Sequence, residues 1–445
     1  MIEEIEKIKI AWFTPFSQKS AIGKYSRSVT RELSKYCHVD LWLSENEDLL
    51  ATNLPTVFYK GTDDVADRLR GYEHVVYNMG NYVSFHKDIY EMSRKVPGIV
   101  ILHDLVMHHF FTGYYCLEKR DTASYVEDMK KIYGEEAGHA ARGSLSGARP
   151  PIWESDEVVK YPLFERVIEG ALGVITHSAF HDNIVNKKYL GPTAVIPHPC
   201  DSDETPPTVR KAEKAHLGLP GDKILLVTIG HVNPNKRIDR ILHVLSNNPK
   251  IAERLTYLVI GLCENGPYYE ILQDLVRRHA LSRTVRFLGF KPDAELHSYM
   301  AAAEGFINLR FPAMEGASWS LIEELHFGKP VIVTDTGCYS ELPDDCVFKV
   351  RPDHEEHDIR EALIKIVQGG NQAGEIGERG KKFAMDTFSS SQYCELFTGF
   401  LAEVSSWKPI LGLIDRVASE LLMMGVPDYF PVVDNTSNEI YSLYK

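Results

Sequence analysis

The sequence predicts an α/β protein of two doubly wound parallel-sheet domains that face across a cleft. Three observations carry that expectation. The chain has 445 residues, two to three times what one hydrophobic core usually serves. Short β-branched, apolar runs alternate with longer amphipathic stretches, the pattern of strands buried on both faces with crossover helices between them. That rhythm stops once, at the polar, proline-bearing segment Asp201-Ser-Asp-Glu-Thr-Pro-Pro207, followed by Leu217-Gly-Leu-Pro-Gly-Asp222, as an interdomain linker would stop it. The expected division is a first domain at 1–200, a hinge at 201–220 and a second domain at 221–390. C-terminal helices at 391–445 should follow, the first packing back on the first domain.

Taken in order, the strand-like runs of the first half are Ile8–Phe13, Val39–Leu43, Val57–Tyr59, His74–Tyr77, Gly98–Leu102, Gly173–Thr176 and Ala194–Ile196. Those of the second half are Lys223–Ile229, Tyr257–Ile260, Val285–Leu288, Gly305–Leu309, Val331–Thr334 and Val347–Val350. Gly, Pro, Asn or Asp bound most of them, as turns require. Helical patterns fall between them at Tyr25–Tyr36, Ile238–Leu245, Tyr268–His279, Ala294–Ala303 and Ser320–Phe327, and one more lies at Ile410–Met424. Strand–helix–strand order implies right-handed crossovers.

Hydrophobic residues make up 44% and charged residues 25%, which excludes wholesale disorder. Lys and Arg total 49 against 62 Asp and Glu, a net charge of −13. A non-specific nucleic-acid binder needs a net basic face, so that class is excluded as well. No apolar run reaches transmembrane length, and the acidic start Met1–Lys7 does not resemble a secretory signal. Seven scattered cysteines without a CxxC read as reduced thiols, so a cytoplasmic location is expected. Neither half has an uninterrupted GxGxxG after its first strand, which argues against a nicotinamide-dependent oxidoreductase.

Chemistry is concentrated where strands end. Glu315-Gly-Ala-Ser-Trp-Ser-Leu-Ile-Glu323 follows a strand and Arg310 and leads into a helix. Small residues Gly316, Ala317 and Ser318 at the helix start, with Trp319 and Ser320, offer backbone N–H groups to an anion. The two carboxylates can each accept hydrogen bonds from paired hydroxyls. The loop Gly230-His231-Val-Asn-Pro-Asn-Lys236-Arg237 follows the first strand of the second half. Its cations, with Arg310, could neutralise charge on a leaving diphosphate. In the first half His103-Asp104 closes a strand and His108-His109 follow. A polar substrate wall is favoured there over a metal site, which needs converging ligands. Tyr77-Asn78-Met-Gly-Asn81 closes another strand, and the small-residue turn Ser17–Gly23 lets backbone approach a ligand.

In these residues the chain resembles the retaining glycosyltransferase family 4, whose members have two facing Rossmann-like domains, the GT-B fold. The resemblance spans roughly 8–405. It rests on the E-x7-E pair Glu315/Glu323, the GHVNPNKR loop, Phe287-Leu-Gly-Phe290, and Gly328-Lys-Pro-Val-Ile-Val-Thr-Asp-Thr-Gly337 with Glu341. YNMGN, LHDLVMHH and Thr176-His-Ser178 add to it. It implies transfer of a sugar from a UDP- or GDP-linked donor, with retention and without a metal or other cofactor. Catalytic roles would fall to Glu315, Lys236 and His103. Donor binding would fall to Glu323, Gly316, Ala317, Ser318, Trp319, Ser320, Arg310, Arg237, His231, Gly289, Phe290 and Gly23. His231 stands where the family often has Arg, so Arg310 or Arg237 would supply the missing cation. Asp104, Asn78, Asn81 and His108 would meet the acceptor.

The acceptor expected from the resemblance is a glycan, a lipid-linked glycan or a small molecule, in surface-polysaccharide or glycoconjugate synthesis. Peripheral contact with the inner face of a membrane stays open. So do two other readings: a non-catalytic GT-B subunit that partners another glycosyltransferase, and another GT-B enzyme such as an epimerase or phosphorylase.

Overall fold

The computed structural model describes residues 7–425 apart from 46, 63, 201–209, 264–265 and 370. Thirteen strands form two all-parallel sheets, each close to a run read from the sequence. The first sheet holds β1 (Lys9–Phe13), β2 (His38–Leu43), β3 (Thr56–Phe58), β4 (His74–Met79), β5 (Ile99–Leu102), β6 (Gly173–Thr176) and β7 (Thr193–Val195). Its order is β3-β2-β1-β4-β5-β6-β7. The second holds β8 (Ile224–Ile229), β9 (Leu255–Ile260), β10 (Val285–Gly289), β11 (Gly305–Asn308), β12 (Val331–Thr334) and β13 (Phe348–Val350), in the order β10-β9-β8-β11-β12-β13. Both are doubly wound Rossmann-like sheets. Strand order reverses between β1 and β4 and between β8 and β11, and ligands of such sheets bind beyond the strand C-termini at the reversal.

Every residue of β4 and of β9 is buried, which is why these runs are mostly apolar on both faces rather than alternating, with His74, Asn78 and Thr256 the buried polar exceptions. The chain divides into two compact units. Of the described residues, one takes those up to Pro199, Met314–Ala317 and those from Ser390; the other takes those within Cys200–Ala313 and Ser318–Ser389. The helix Ser390–Met423 belongs to the first unit because Tyr393, Phe397, Phe400, Leu401 and Val404 enter the core beside Trp12, Tyr25 and Val29.

Two details depart from the expectation. Of the expected hinge, 201–209 lies outside the described residues, while Arg210–His216 is helical. Lys214 fixes that helix to the second unit, donating to Lys223 O at 2.8 Å and pairing with Glu304 at 2.7 Å. Between β5 and β6 the chain forms the helices Thr122–Tyr133 and Glu135–Ser146, broken at Gly134. Only Tyr125 and Met129 of the first are buried, so its apolar stripe is thin.

Candidate functional site

The second unit gathers cations at its strand reversal. Lys236 ends the short 3₁₀ turn Pro234–Lys236 after β8 and is buried. Its Nζ donates to Ile229 O at 2.6 Å. Gly230 makes room for it: with φ 109°, a Cβ there would lie 2.8 Å from Nζ. Arg310, just past the end of β11, is also buried; its backbone N–H donates to Thr334 Oγ1 at 3.1 Å and Nη1 to Leu309 O at 2.8 Å. β8 and β11 are neighbours, and Phe311 N–H donates to Asn235 O at 2.8 Å, tying the two loops together.

The helix Trp319–His326 begins nine residues after Arg310. Ser318 caps it, accepting from Leu321 N–H, and its N-terminus carries the positive end of the helix dipole. Ser320 Oγ accepts from Asn308 Nδ2 at 3.1 Å. Glu323 is partly exposed, 4.0 Å from His297 Nε2. Gly289 takes a left-handed conformation at the end of the edge strand β10, and Phe290 beyond it is 72% exposed.

Arg237 is committed elsewhere. Its Nε and Nη2 hold both oxygens of Glu355 at 2.8 and 2.7 Å, and its guanidinium lies 5.8 Å from the centre of the Phe311 ring. That leaves Arg310 as the better placed of the two cations considered beside Lys236. His231 is exposed. Glu324, absent from the sequence reading, is fully buried and accepts from Asn308 Nδ2 at 2.8 Å.

The E-x7-E motif is divided between the units, with Met314–Ala317 in the first and Ser318 onward in the second. Glu315 forms an antiparallel bridge with Asp104. Leu105 N–H donates to Met314 O at 3.2 Å and Gly316 N–H to His103 O at 2.9 Å. Gly316 needs its bare Cα, because a Cβ would meet His103 O at 3.0 Å and His181 Nδ1 at 3.1 Å.

Around this bridged segment the first unit assembles imidazoles from several strand ends. His103 Nε2 faces Asn78 Oδ1 at 3.1 Å, and His103 Nδ1 faces His177 Nε2 at 3.1 Å. Asn78 Nδ2 is already given to Phe13 O at 2.9 Å, and His177 Nδ1 contacts Ile196 O at 2.8 Å. Two neutral rings bring two N–H hydrogens to three contacts, so one stays unfilled unless the pair gains a proton. Burial opposes that gain. It pushes His177 down to about 4 and, with the neighbouring rings of His177, His198 and His86, takes His103 well below its ordinary value. Tyr25 stands edge-on to His103 at 4.7 Å and donates to Tyr393.

Asp104 Oδ2 accepts from Asn81 N–H at 3.0 Å. Loss of water raises this carboxyl to about 7, with Glu315 adding to the shift. His181 is buried and its Nδ1 has no hydrogen-bond partner. His108 faces the core instead, with Nδ1 to Tyr161 O at 2.6 Å and Nε2 to Tyr125 OH at 2.7 Å. Its expected acceptor role is not supported by those surroundings. Gly23 sits in the first turn of the helix Ala21–Leu33 and donates its N–H to Ser20 Oγ. His177, His181 and Glu324 were missed as site residues; Thr176-His-Ser178 at the end of β6 was the available signal for the first.

Residues 209–383 match the family model for glycosyl transferases group 1. Among curated relatives, the D-inositol 3-phosphate glycosyltransferase of Thermobifida fusca is 29% identical over 39% of this chain and 41% of the relative. The alpha-monoglucosyldiacylglycerol synthase of Acholeplasma laidlawii is 22% identical over 50% and 56%. The chain thus spans about half or less of these relatives' lengths. Among solved structures, Anabaena HepE in complex with UDP superposes with a TM-score of 0.63 at 15% identity, covering 89% of this chain and 100% of that one. Sucrose-phosphate synthase from Thermosynechococcus elongatus gives 0.61 at 16%, covering 90% and 100%. Among the described residues no helix is long and apolar enough to cross a membrane. The chain therefore has the GT-B fold, and its residues 209–383 are similar to the glycosyl transferases group 1.

Proposed function

We propose that this chain is a retaining glycosyltransferase that moves a sugar from a UDP- or GDP-linked donor to a glycan, lipid-linked or small-molecule acceptor in glycoconjugate synthesis. The observation that carries the reading is the placement of two buried cations, Lys236 and Arg310, beyond neighbouring strands at the β8/β11 reversal. Together with the capped helix Trp319–His326 they suit a diphosphate, whose charge grows as the sugar leaves. Glu323 would hold the donor ribose and Glu315 would lie beside the transferred sugar. These protein cations would supply the charge neutralisation, without a metal. That one solved GT-B structure is a complex with UDP and another with UDP-glucose supports a uridine donor.

Thermal unfolding with UDP, GDP, dTDP and ADP tests the donor class. A nucleotide at 100 times its Kd stabilises by about 2.7 kcal/mol, several degrees in Tm for a domain of this size. A shift with UDP or GDP alone names the class; no shift with any nucleotide removes the donor-site reading and favours a non-catalytic subunit. Glu323→Ala should weaken nucleotide-sugar binding, whereas Glu315→Gln should lower turnover more than binding. The reverse pattern overturns the two assignments, and the anomeric configuration of the product decides retention.

A further inference from the structure

The donor half-site contains a carboxyl group that the proposed chemistry does not use. Glu324 lies one residue past Glu323 on the helix Trp319–His326, and it is completely covered. Its Oε2 accepts from Asn308 Nδ2 at 2.8 Å. The same amide nitrogen also reaches Ser320 Oγ at 3.1 Å. The opposite atoms of the two side chains, Glu324 Oε1 and Asn308 Oδ1, are both buried and both without a hydrogen-bond partner. An ionised carboxylate and an amide oxygen are acceptors only, so that arrangement would leave two buried acceptors unfilled, a costly state. One hydrogen on Glu324 supplies the missing donor.

We propose that Glu324 is a protonated acid paired with Asn308 in the unliganded donor site, and that this neutral form is the one that binds a nucleoside diphosphate. The charged and titratable groups that act on Glu324 are Lys236 after β8, Arg310 after β11 and Glu323 on its own helix. The two cations favour ionisation. Loss of water outweighs them and pushes the carboxyl up to about 8, with Glu323 contributing. The functional consequence is electrostatic. While Glu324 is neutral it draws on neither Lys236 nor Arg310; once ionised, it competes with a diphosphate for both. Glu324 is a positioning residue in this account, acting through the cations rather than touching the ligand. The diphosphate part rests on the function proposed above, while the proton on Glu324 does not.

Two measurements on the full chain keep those parts separate. The first needs no nucleotide. An acid whose pKa is raised on folding gives stability that is present below its unfolded value, about 4.3, and lost as pH rises through the folded value. The Tm of wild type relative to Glu324→Gln should therefore fall between about pH 5 and pH 8. A difference independent of pH overturns the protonated acid. Should the variant not fold, glutamate-selective ¹³Cδ labelling of the wild type reads the same proton. One resonance should titrate above about pH 7, and if every glutamate titrates below about pH 6 the proposal fails.

The second measurement is the Kd for UDP and GDP from about pH 7 to pH 9. If only the protonated form binds, affinity scales with its fraction, so Kd should rise by up to about tenfold in wild type relative to Glu324→Gln. Equal pH dependence in the two proteins overturns the link between this proton and the ligand. Absence of nucleotide binding at every pH overturns the donor-site reading together with that link, and leaves the acid–amide pair to be decided by the first measurement.

Discussion

The two units furnish their strand ends in opposite ways. The second collects positive charge: Lys236 and Arg310 each follow a strand closely, at one strand reversal, beside a helix N-terminus. The first collects uncharged rings: His103 and His177 face each other through their ring nitrogens, and their outer nitrogens meet Asn78 and a backbone carbonyl. Charge suits an anion of fixed sign. Neutral imidazoles and amides, held by backbone carbonyls, suit hydroxyl groups that need oriented donors and acceptors. A GT-B fold supplies the strand ends in both cases, and only the loop residues make one end different from the other.

The largest effect is expected where a buried cation would meet the diphosphate directly. Lys236→Ala should weaken nucleotide binding by about 10- to 100-fold, the value of a lost charge-assisted hydrogen bond. Isothermal titration against UDP and GDP reads this directly. An unchanged Kd would remove the lysine from the second unit's half-site and blur the contrast between the units.

Next comes the segment of the motif that the first unit holds. Gly316→Ala puts a methyl group 3.0 Å from His103 O and 3.1 Å from His181 Nδ1. Backbone lines one side of that space, so the segment 314–317 or its neighbours must give by a few tenths of an ångström. Turnover should fall well before nucleotide affinity does. Asn78→Ala removes the bonds to Phe13 O and His103 together, at a cost of about 1–3 kcal/mol for the polar groups left behind. Chemical denaturation measures that loss, and a neutral result would mean the imidazole array holds itself without Asn78.

These cases show what the sequence could and could not reveal. The strands were legible because burial on both faces makes them short and mostly apolar, as in β4 and β9. The second unit's half-site was legible because Lys236 and Arg310 lie near their strands in sequence. The first unit's was only half legible. His103 and Asn78 stand out beside their strands, but His177 and His181 follow β6, many residues later, and only the neighbouring order of β4, β5 and β6 unites them. Glu324 was hidden for another reason. Beside Glu323 it reads as a solvated helix residue, whereas in the fold it is completely buried and hydrogen-bonded to Asn308 of β11. His108 shows the converse, a strand-end histidine drawn into the core by Tyr125 and the Tyr161 carbonyl.

Acidity separates groups within the first unit. Asp104, raised to about 7 chiefly by loss of water, contributes stability below its ordinary carboxylate value that is lost as pH rises toward 7. His177, lowered to about 4 by burial, contributes stability above the ordinary imidazole value that is lost as pH falls toward 4. The two slopes oppose each other across the same window. Asp104→Asn should therefore make stability climb more steeply with pH, and His177→Gln should flatten the loss on the acid side. Denaturant midpoints measured from about pH 4 to pH 7.5 check both signs. Equal slopes in wild type and both variants would mean that neither group is perturbed.

The smallest effect should come from a cation inside the second unit that lies outside the proposed diphosphate site. Arg237 shares the loop with Lys236 but gives both arms of its guanidinium to Glu355. Arg240 also lies 3.7 Å from that carboxylate, so Glu355 retains a countercharge when Arg237 is lost. Arg237→Gln should then cost about 1 kcal/mol or less, as partly exposed ion pairs do, and should change nucleotide affinity less than twofold, under about 0.4 kcal/mol. A loss as large as that of Lys236→Ala would show that proximity in the loop, rather than the partner each side chain has chosen, decides which cation meets the diphosphate.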